Sequence, residues 1–444
     1  MADDTDNPPV QTLSRTADSR TGPRTHPRSA PAAPPVSPAW PAALLLVGIV
    51  LAALNLRPAI TSLGVLLEET RTGLGMSGTV AGLLTSVPPL CFAVFGITAP
   101  RLARRFGPAA ILCAGMAAIT AGLVIRPFAG GTAGFLAASA FALAGIALSN
   151  VLMPVVIKRW FPDRVGTMTG LYSMALALGT SVAAAATVPM TKALGGSWRT
   201  GLAVWAVLAA LALLAWLPMA RERRTAERRT AAAGATAAAR HQDPDAPAVR
   251  ITRSRTAWAL ACFFGLQATA AYITMGWMPQ IFRDAGVPAG TAGVLLAVTM
   301  VMGVPLAFVI PRLAARMRNQ GLLVVALGLF GLSGYAGLYF APAAGAWVWA
   351  LLLGVSNCAF PLAITMIGMR ARSGPGVVRL SAFAQSTGYL ISIPGPLVIG
   401  ALYQHSGGWD LPIALMAGLM LPQIAVGVLA GRDRTIEDEC GMRD

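Results

Sequence analysis

The residues LNLRPAITSLG, Leu54 to Gly64, place Arg57 directly before Pro58 inside a long apolar run. A guanidinium near the middle of a membrane helix costs about 2.5–3.5 kcal/mol on insertion scales. Arg57 lies about 25 Å of helix rise beyond Trp40, and side chains lean toward a helix's N-terminus. Its head is therefore directed back toward the middle of the run rather than toward the nearer surface. Pro58 lacks an N–H and frees the Leu54 carbonyl, an irregularity tolerated in a membrane only beside protein or a wet cavity. Thr61 and Gly64, four and seven residues on, continue a small, weakly polar stripe. No acidic residue sits deep in an apolar run: Glu68 and Glu69 end the first run, Asp163 lies in a loop, and Asp284 and Asp410 lie at run ends. Arg57 thus reads as one deep cation without a protein counter-ion. Its planar, permanently charged fork suits a small delocalised anion.

Other polar side chains could surround such a ligand. Asn150 and Asn357 each precede a proline (Pro154, Pro361) by four residues. Tyr172, Gln267 and Tyr272 offer hydroxyl and amide groups in other apolar runs, and Gln385 and Tyr389 stand one helical turn apart. Each can equally serve as helix–helix glue or as a satisfied packing residue. Met174, Met300 and Met302 read as packing. The five cysteines are scattered without a CxxC, and His26, His241 and His405 fall in loops or tails, so neither a disulfide framework nor a metal site is indicated. No Walker A, HExxH or DxD pattern appears, and the chain reads as a non-enzyme without a cofactor.

The elements that position these groups follow from composition. The 444 residues are 55% hydrophobic and 12% charged, with mean hydropathy +0.64, about half the charge fraction of soluble domains. Twelve runs are long enough to span a bilayer, at 41–67, 77–99, 109–128, 132–156, 166–190, 200–219, 257–282, 290–311, 320–340, 345–369, 380–402 and 411–430. The net charge of +16 reads as topology rather than nucleic-acid binding. Of the 34 basic residues, 28 fall on the side of the two termini and five (Arg71, Arg126, Lys192, Arg199, Arg283) on the other, with Arg57 in neither group. That asymmetry places both termini in the cytoplasm and the chain in the cell membrane. Residues 1–40 read as a disordered tail, 220–256 as a polar linker and 431–444 as a second tail.

The linker divides the spans into halves, 41–219 and 257–430, that resemble each other. "AGLL" at 81–84 with "PRLARRFG" at 100–107 recurs as "AGVL" at 292–295 with "PRLAARMR" at 311–318, and "SNVLMP" at 149–154 recurs as "SNCAFP" at 356–361. Repeats of this kind predict an all-α membrane protein whose pseudo-symmetric six-helix halves enclose a central cavity. The segment "GITAPRLARRF" with Gly107 resembles the loop between spans 2 and 3 of the major facilitator superfamily, with Arg104 in place of its usual acidic residue. "LNLRPAITSLGVLL", "AGLLTSVPPL" and "SNVLMPVVIKRWFPDRVGTMTGLYS" together resemble that superfamily's cyanate and 2-nitroimidazole permease branch. The resemblance implies a secondary transporter of a small anion such as cyanate, or an efflux permease for nitroaromatics such as 2-nitroimidazole. Its partners would be the solute and membrane lipid, with proton coupling open. The GPxxGG pattern of drug antiporters and the span-4 arginine of proton-coupled members are both absent, which weighs against proton/drug antiport.

Overall fold

Leu-, Ala-, Val- and Gly-rich runs that cross a bilayer must satisfy their backbone internally, which favours helices. The computed structural model describes residues 42–231 and 251–439, and among these the regular elements are helices, with no strand. Twelve helical segments, from Leu44–Val65 to Asp410–Ala430, are long and apolar enough to cross a membrane. Each coincides with one of the expected spans. Gly78–Phe106 and Thr132–Trp160 outlast their apolar runs, as Gly303–Arg316 of span 8 also does, and continue as helix through their arginine-bearing last turns. The first of these stops at Gly107, whose φ of 82° suits glycine. The sixth span likewise continues as helix to Ala231, into the expected linker. The expected tail at 1–40 and the remainder of that linker, 232–250, lie outside the described residues.

The halves differ in where their helices break. Span 1 divides into Ala42–Asn55 and Pro58–Val65, whereas its counterpart Arg255–Asp284 runs through Pro279 unbroken. Span 10 breaks at Asn357 and Cys358, between Ala346–Ser356 and Ala359–Met369, whereas its counterpart Thr132–Trp160 carries Pro154 without a break. Span 11 breaks at Ile393, before Pro394.

One end of the bundle carries the arginine-rich turns and is here the basic end; the opposite is the far end. The halves meet chiefly at the far end. Val165–Ala193 of span 5 packs closely on Ala289–Val301, the far portion of span 8, and little on Gly303–Arg316. Pro58–Val65 packs on span 7, while Ala42–Asn55 packs within its own half, on spans 5 and 6. Toward the basic end the halves diverge.

At the basic end the last residues are docked rather than loose. The fully buried Arg370 donates to the Ala430 and Gly431 carbonyls and to Gln320. Behind it, Ile436–Glu439 lays its carboxylates on two helix starts. Glu437 accepts from the Arg372 and Ser373 backbone, and Glu439 accepts from Ser254, from the Thr256 hydroxyl at 2.8 Å and from the Thr256 N–H. Carboxylates are favoured at helix N-termini. Burial alone would raise the Glu439 value, but the Ser254 and Thr256 hydrogen bonds hold it below the ordinary glutamate range. This stabilisation is complete above the ordinary value and is lost as pH falls through the lowered one. Acidification below the ordinary glutamate value should therefore release the segment. Hydrogen exchange of 432–439 should accelerate below that pH in the wild type, and should be fast already at pH 7 in Glu439→Gln.

Candidate functional site

Arg57 occupies the break in span 1. Its φ and ψ of −121° and −29° are not helical, and its carbonyl accepts the Ile60 and Thr61 N–H groups that start the next helix. Pro58 at the first helical position needs no donor there. The Leu54 carbonyl that it frees lies against Gly179 of span 5, where any Cβ would collide with that oxygen. Glycine is therefore needed for span 5 to support the break.

The guanidinium is half-buried, and three tyrosine hydroxyls from three spans act on it. Tyr272 of span 7 lies within side-chain hydrogen-bonding reach of it, and the neutral hydroxyls of Tyr172 of span 5 and Tyr389 of span 11 lie within its electrostatic range. Tyr172 also donates to Asn150 Oδ1 at 2.7 Å, which draws span 4 into the group. Tyr389 stacks on Phe92 of span 2 at 5.0 Å and meets the Phe264 ring edge-on at 5.1 Å; Phe264 in turn lies 5.3 Å from the half-buried Phe360. The cation thus belongs to one half, and the aromatic wall largely to the other. Beside Tyr272 a small enclosed space of about 10 Å³ lies among residues including Leu63, Gly64, Thr85 and Gly276, room for roughly one water.

Of the eight expected site residues, five converge: Arg57, Asn150, Tyr172, Tyr272 and Tyr389. Asn357 and Gln267 form a separate pair, with Gln267 Nε2 donating to Asn357 Oδ1 at 3.0 Å. Gln423 of span 12, which the sequence did not single out, donates to Gln267 Oε1 at 2.7 Å. This chain sits between spans 7, 10 and 12, so Asn357 does not repeat the role of Asn150. Gln385 bonds Ser381 on its own helix at 2.6 Å. Thr61 is buried, and Gly64, also buried, packs directly on the Met275 carbonyl and borders only the small space beside Tyr272.

The expectation of one deep cation is corrected by Arg126. Counted from sequence only among the five basic residues on the side away from the termini, it is 2% exposed and reaches back into the bundle, donating to the Ala59 carbonyl at 3.1 Å. Its Nε and Nη2 have no partner in the described structure, and Phe135 covers it at 5.7 Å. Arg126 braces the turn that follows Arg57 but is sealed away from it. Arg57, by contrast, is only half-buried. Among the described residues there is no metal-ligating cluster, and the ion pairs of Glu68, Glu69, Asp433 and Asp438 are made with other arginines than Arg57. The arrangement can hold a small anion by charge and hydroxyl donors against an aromatic wall.

Residues 45–378 match the sequence model of the Major Facilitator Superfamily. The 2-nitroimidazole transporter of Escherichia coli (strain K12) is 34% identical over 400 residues, covering 88% of this chain and 96% of its own. The cyanate transport protein of the same organism is 30% identical over 384 residues, covering 85% and 95%. Among solved structures, the inward open conformation of the xylose transporter from E. coli superposes with a TM-score of 0.66 at 11% identity, covering 89% of this chain and 98% of its own.

Proposed function

The chain belongs to the major facilitator superfamily and is a multi-pass transporter of a small solute, and from that premise we propose that its solute is a small planar monoanion held by Arg57. The single observation behind this reading is a half-exposed guanidinium at a helix break, ringed by Tyr172, Tyr272 and Tyr389, with no carboxylate beside it. A site with a fixed positive charge and no negative one discriminates against cations and zwitterions. Arginine's fork matches delocalised oxygens or nitrogens in one plane. Cyanate is the minimal such anion, and its transport by one relative supports the class.

A second reading, efflux of small nitroaromatics, is favoured by the Phe92–Tyr389–Phe264 wall and by the relative that transports 2-nitroimidazole. A flat ring could lie against that wall with its nitro group toward Arg57. The basic end faces the cytoplasm in this proposal, following the positive-inside rule in a cell membrane. The halves are closed at the far end, so the state described is inward-facing. Asn150 and Tyr172 would contact the solute beside Arg57, while Gln267 and Asn357 would act more remotely. Gln385 would join only after its bond to Ser381 opens.

Proteoliposomes decide between the readings. Uptake of labelled cyanate, benzoate, 2-nitroimidazole and xylose should be measured with and without a pH gradient. The anion reading expects at least one anion to be taken up and xylose to be excluded. Transport of 2-nitroimidazole alone, most rapid at a pH that keeps it neutral, would put the efflux reading first.

A further inference from the structure

We propose that the protein binds one anionic glycerophospholipid in a lateral groove at the far end, with the lipid phosphate on Lys192. The groove has a volume of about 380 Å³ and lies where spans 5, 8 and 10 meet. Its lining includes Val188, Pro189 and Lys192 from span 5, Thr291 and Val294 from span 8, and Trp347 from span 10. It is separate from the Arg57 site and opens outward from the bundle rather than into it.

Three observations point to lipid as the occupant. First, Lys192 has no counter-charge. Of the five far-end basic residues, Arg71 pairs with Glu68 and Arg283 with Glu69, Arg126 is buried on the Ala59 carbonyl, and Arg199 donates to the Pro127 carbonyl over the Trp198 ring. Among the described residues, the exposed Lys192 ammonium alone of these has no partner. Second, the groove continues along the bundle as an apolar track. One turn toward the midplane from Ala185 and Trp347 stand Val182 and Leu351, each 44% exposed. A charged head above an apolar track has the polarity of a phospholipid, not of a soluble ligand. Third, Lys192 and the exposed Trp347 lie at span ends, the depth at which such residues meet headgroups. A compact ammonium binds phosphate as a point charge.

The position gives the lipid a consequence. Gly293 of span 8 packs on the Ala184 carbonyl of span 5 immediately beside the groove. An acyl chain there would rest against the contact that must part before the far end opens, and would hold it closed.

The full-length protein should be purified in detergent and titrated with phosphatidylglycerol or phosphatidylcholine under native mass spectrometry. One phosphatidylglycerol per chain should be retained in preference to phosphatidylcholine, and Lys192→Gln should weaken it about fivefold, the worth of one lysine near an anionic surface. Val294→Trp, which fills the groove, should abolish the preferential adduct while leaving solute binding intact. A photoreactive residue at Thr291 should crosslink to lipid. Wild-type lipid binding in both variants would overturn the proposal, as would a Thr291 crosslink to a second copy of the chain. Lys192 is exposed, so its variant keeps the test valid even if Val294→Trp folds poorly.

Discussion

Replacing Arg57 with alanine is expected to lower anion affinity by about a hundredfold or more while leaving the protein folded. Truncating one partner of a desolvated, hydrogen-bonded charge pair typically costs about 2–5 kcal/mol, and no other cation stands in reach to substitute. Arg126, the second deep guanidinium, is sealed behind Ala59 and Phe135. The fold should tolerate the loss, because the break in span 1 is held by Pro58, by the fit of Gly179 and by Arg126 on the Ala59 carbonyl, none of which uses the Arg57 side chain. Removing an uncompensated charge from the membrane interior can even raise thermal stability. Arg57→Lys keeps the charge and loses the planar fork, and should weaken binding about tenfold. Tyr272→Phe should cost less than Arg57→Ala, since one hydrogen bond to a charged group is worth about 1.5–3 kcal/mol. Affinities of cyanate and benzoate for the purified proteins, at low and high salt, separate these cases. Equal affinity in wild type and Arg57→Ala would make Arg57 structural and advance the neutral-solute reading.

Much of this site can be read from the chain because bilayers penalise polar groups heavily. An arginine before a proline inside a twenty-residue apolar run already implies a break, which falls between Asn55 and Pro58, and all twelve spans follow from length and hydropathy alone. Partner choice was harder to read. Asn150 and Asn357 occupy matching repeat positions, yet Asn150 meets Tyr172 while Asn357 meets Gln267, because span 10 breaks at Asn357 and span 4 does not break at Asn150. Gln423 has no polar neighbour one turn away in sequence, so only tertiary packing reveals its bond to Gln267. Arg126 was hidden by its context, since Pro127 and the glycines after it signal a loop. The backbone does turn there, but the side chain reaches inward to the Ala59 carbonyl rather than out to water. Periodicity locates backbones, whereas the direction of a long side chain at a span end depends on what the neighbouring helices leave open.

Substituting both Gly64 and Gly82 with valine is expected to abolish transport while sparing solute binding. Two kinds of contact close the far end, and their magnitudes differ. The Arg283–Glu69 pair, 2.8 Å long and 20% and 35% exposed, joins the halves. At such exposure it contributes about 0.2–1 kcal/mol, so Glu69→Gln should shift the balance of states only a few-fold. Backbone packing is less forgiving. A Cβ at Gly64 falls on the Met275 carbonyl, and one at Gly82 falls on the carbonyls of Pro396 and Leu397. Backbone atoms cannot rotate away as side chains can, so a valine there forces the two halves apart. Moving a two-state equilibrium from 1:99 to 99:1 takes about 5.5 kcal/mol, and overpacking costs about 1–3 kcal/mol per site. Gly64→Val and Gly82→Val together should therefore approach full conversion to a state open at the far end, with either alone giving a partial shift. In a cysteine-free background, Leu63→Cys is buried beside Tyr272 in the closed state. A membrane-impermeant maleimide added on the outside should label it slowly in the otherwise unchanged protein and rapidly in the double valine variant. Equal labelling would show that the far end opens without separating span 1 from span 7. The alternating movement would then have to lie within one half, at the break beside Arg57, rather than between the two.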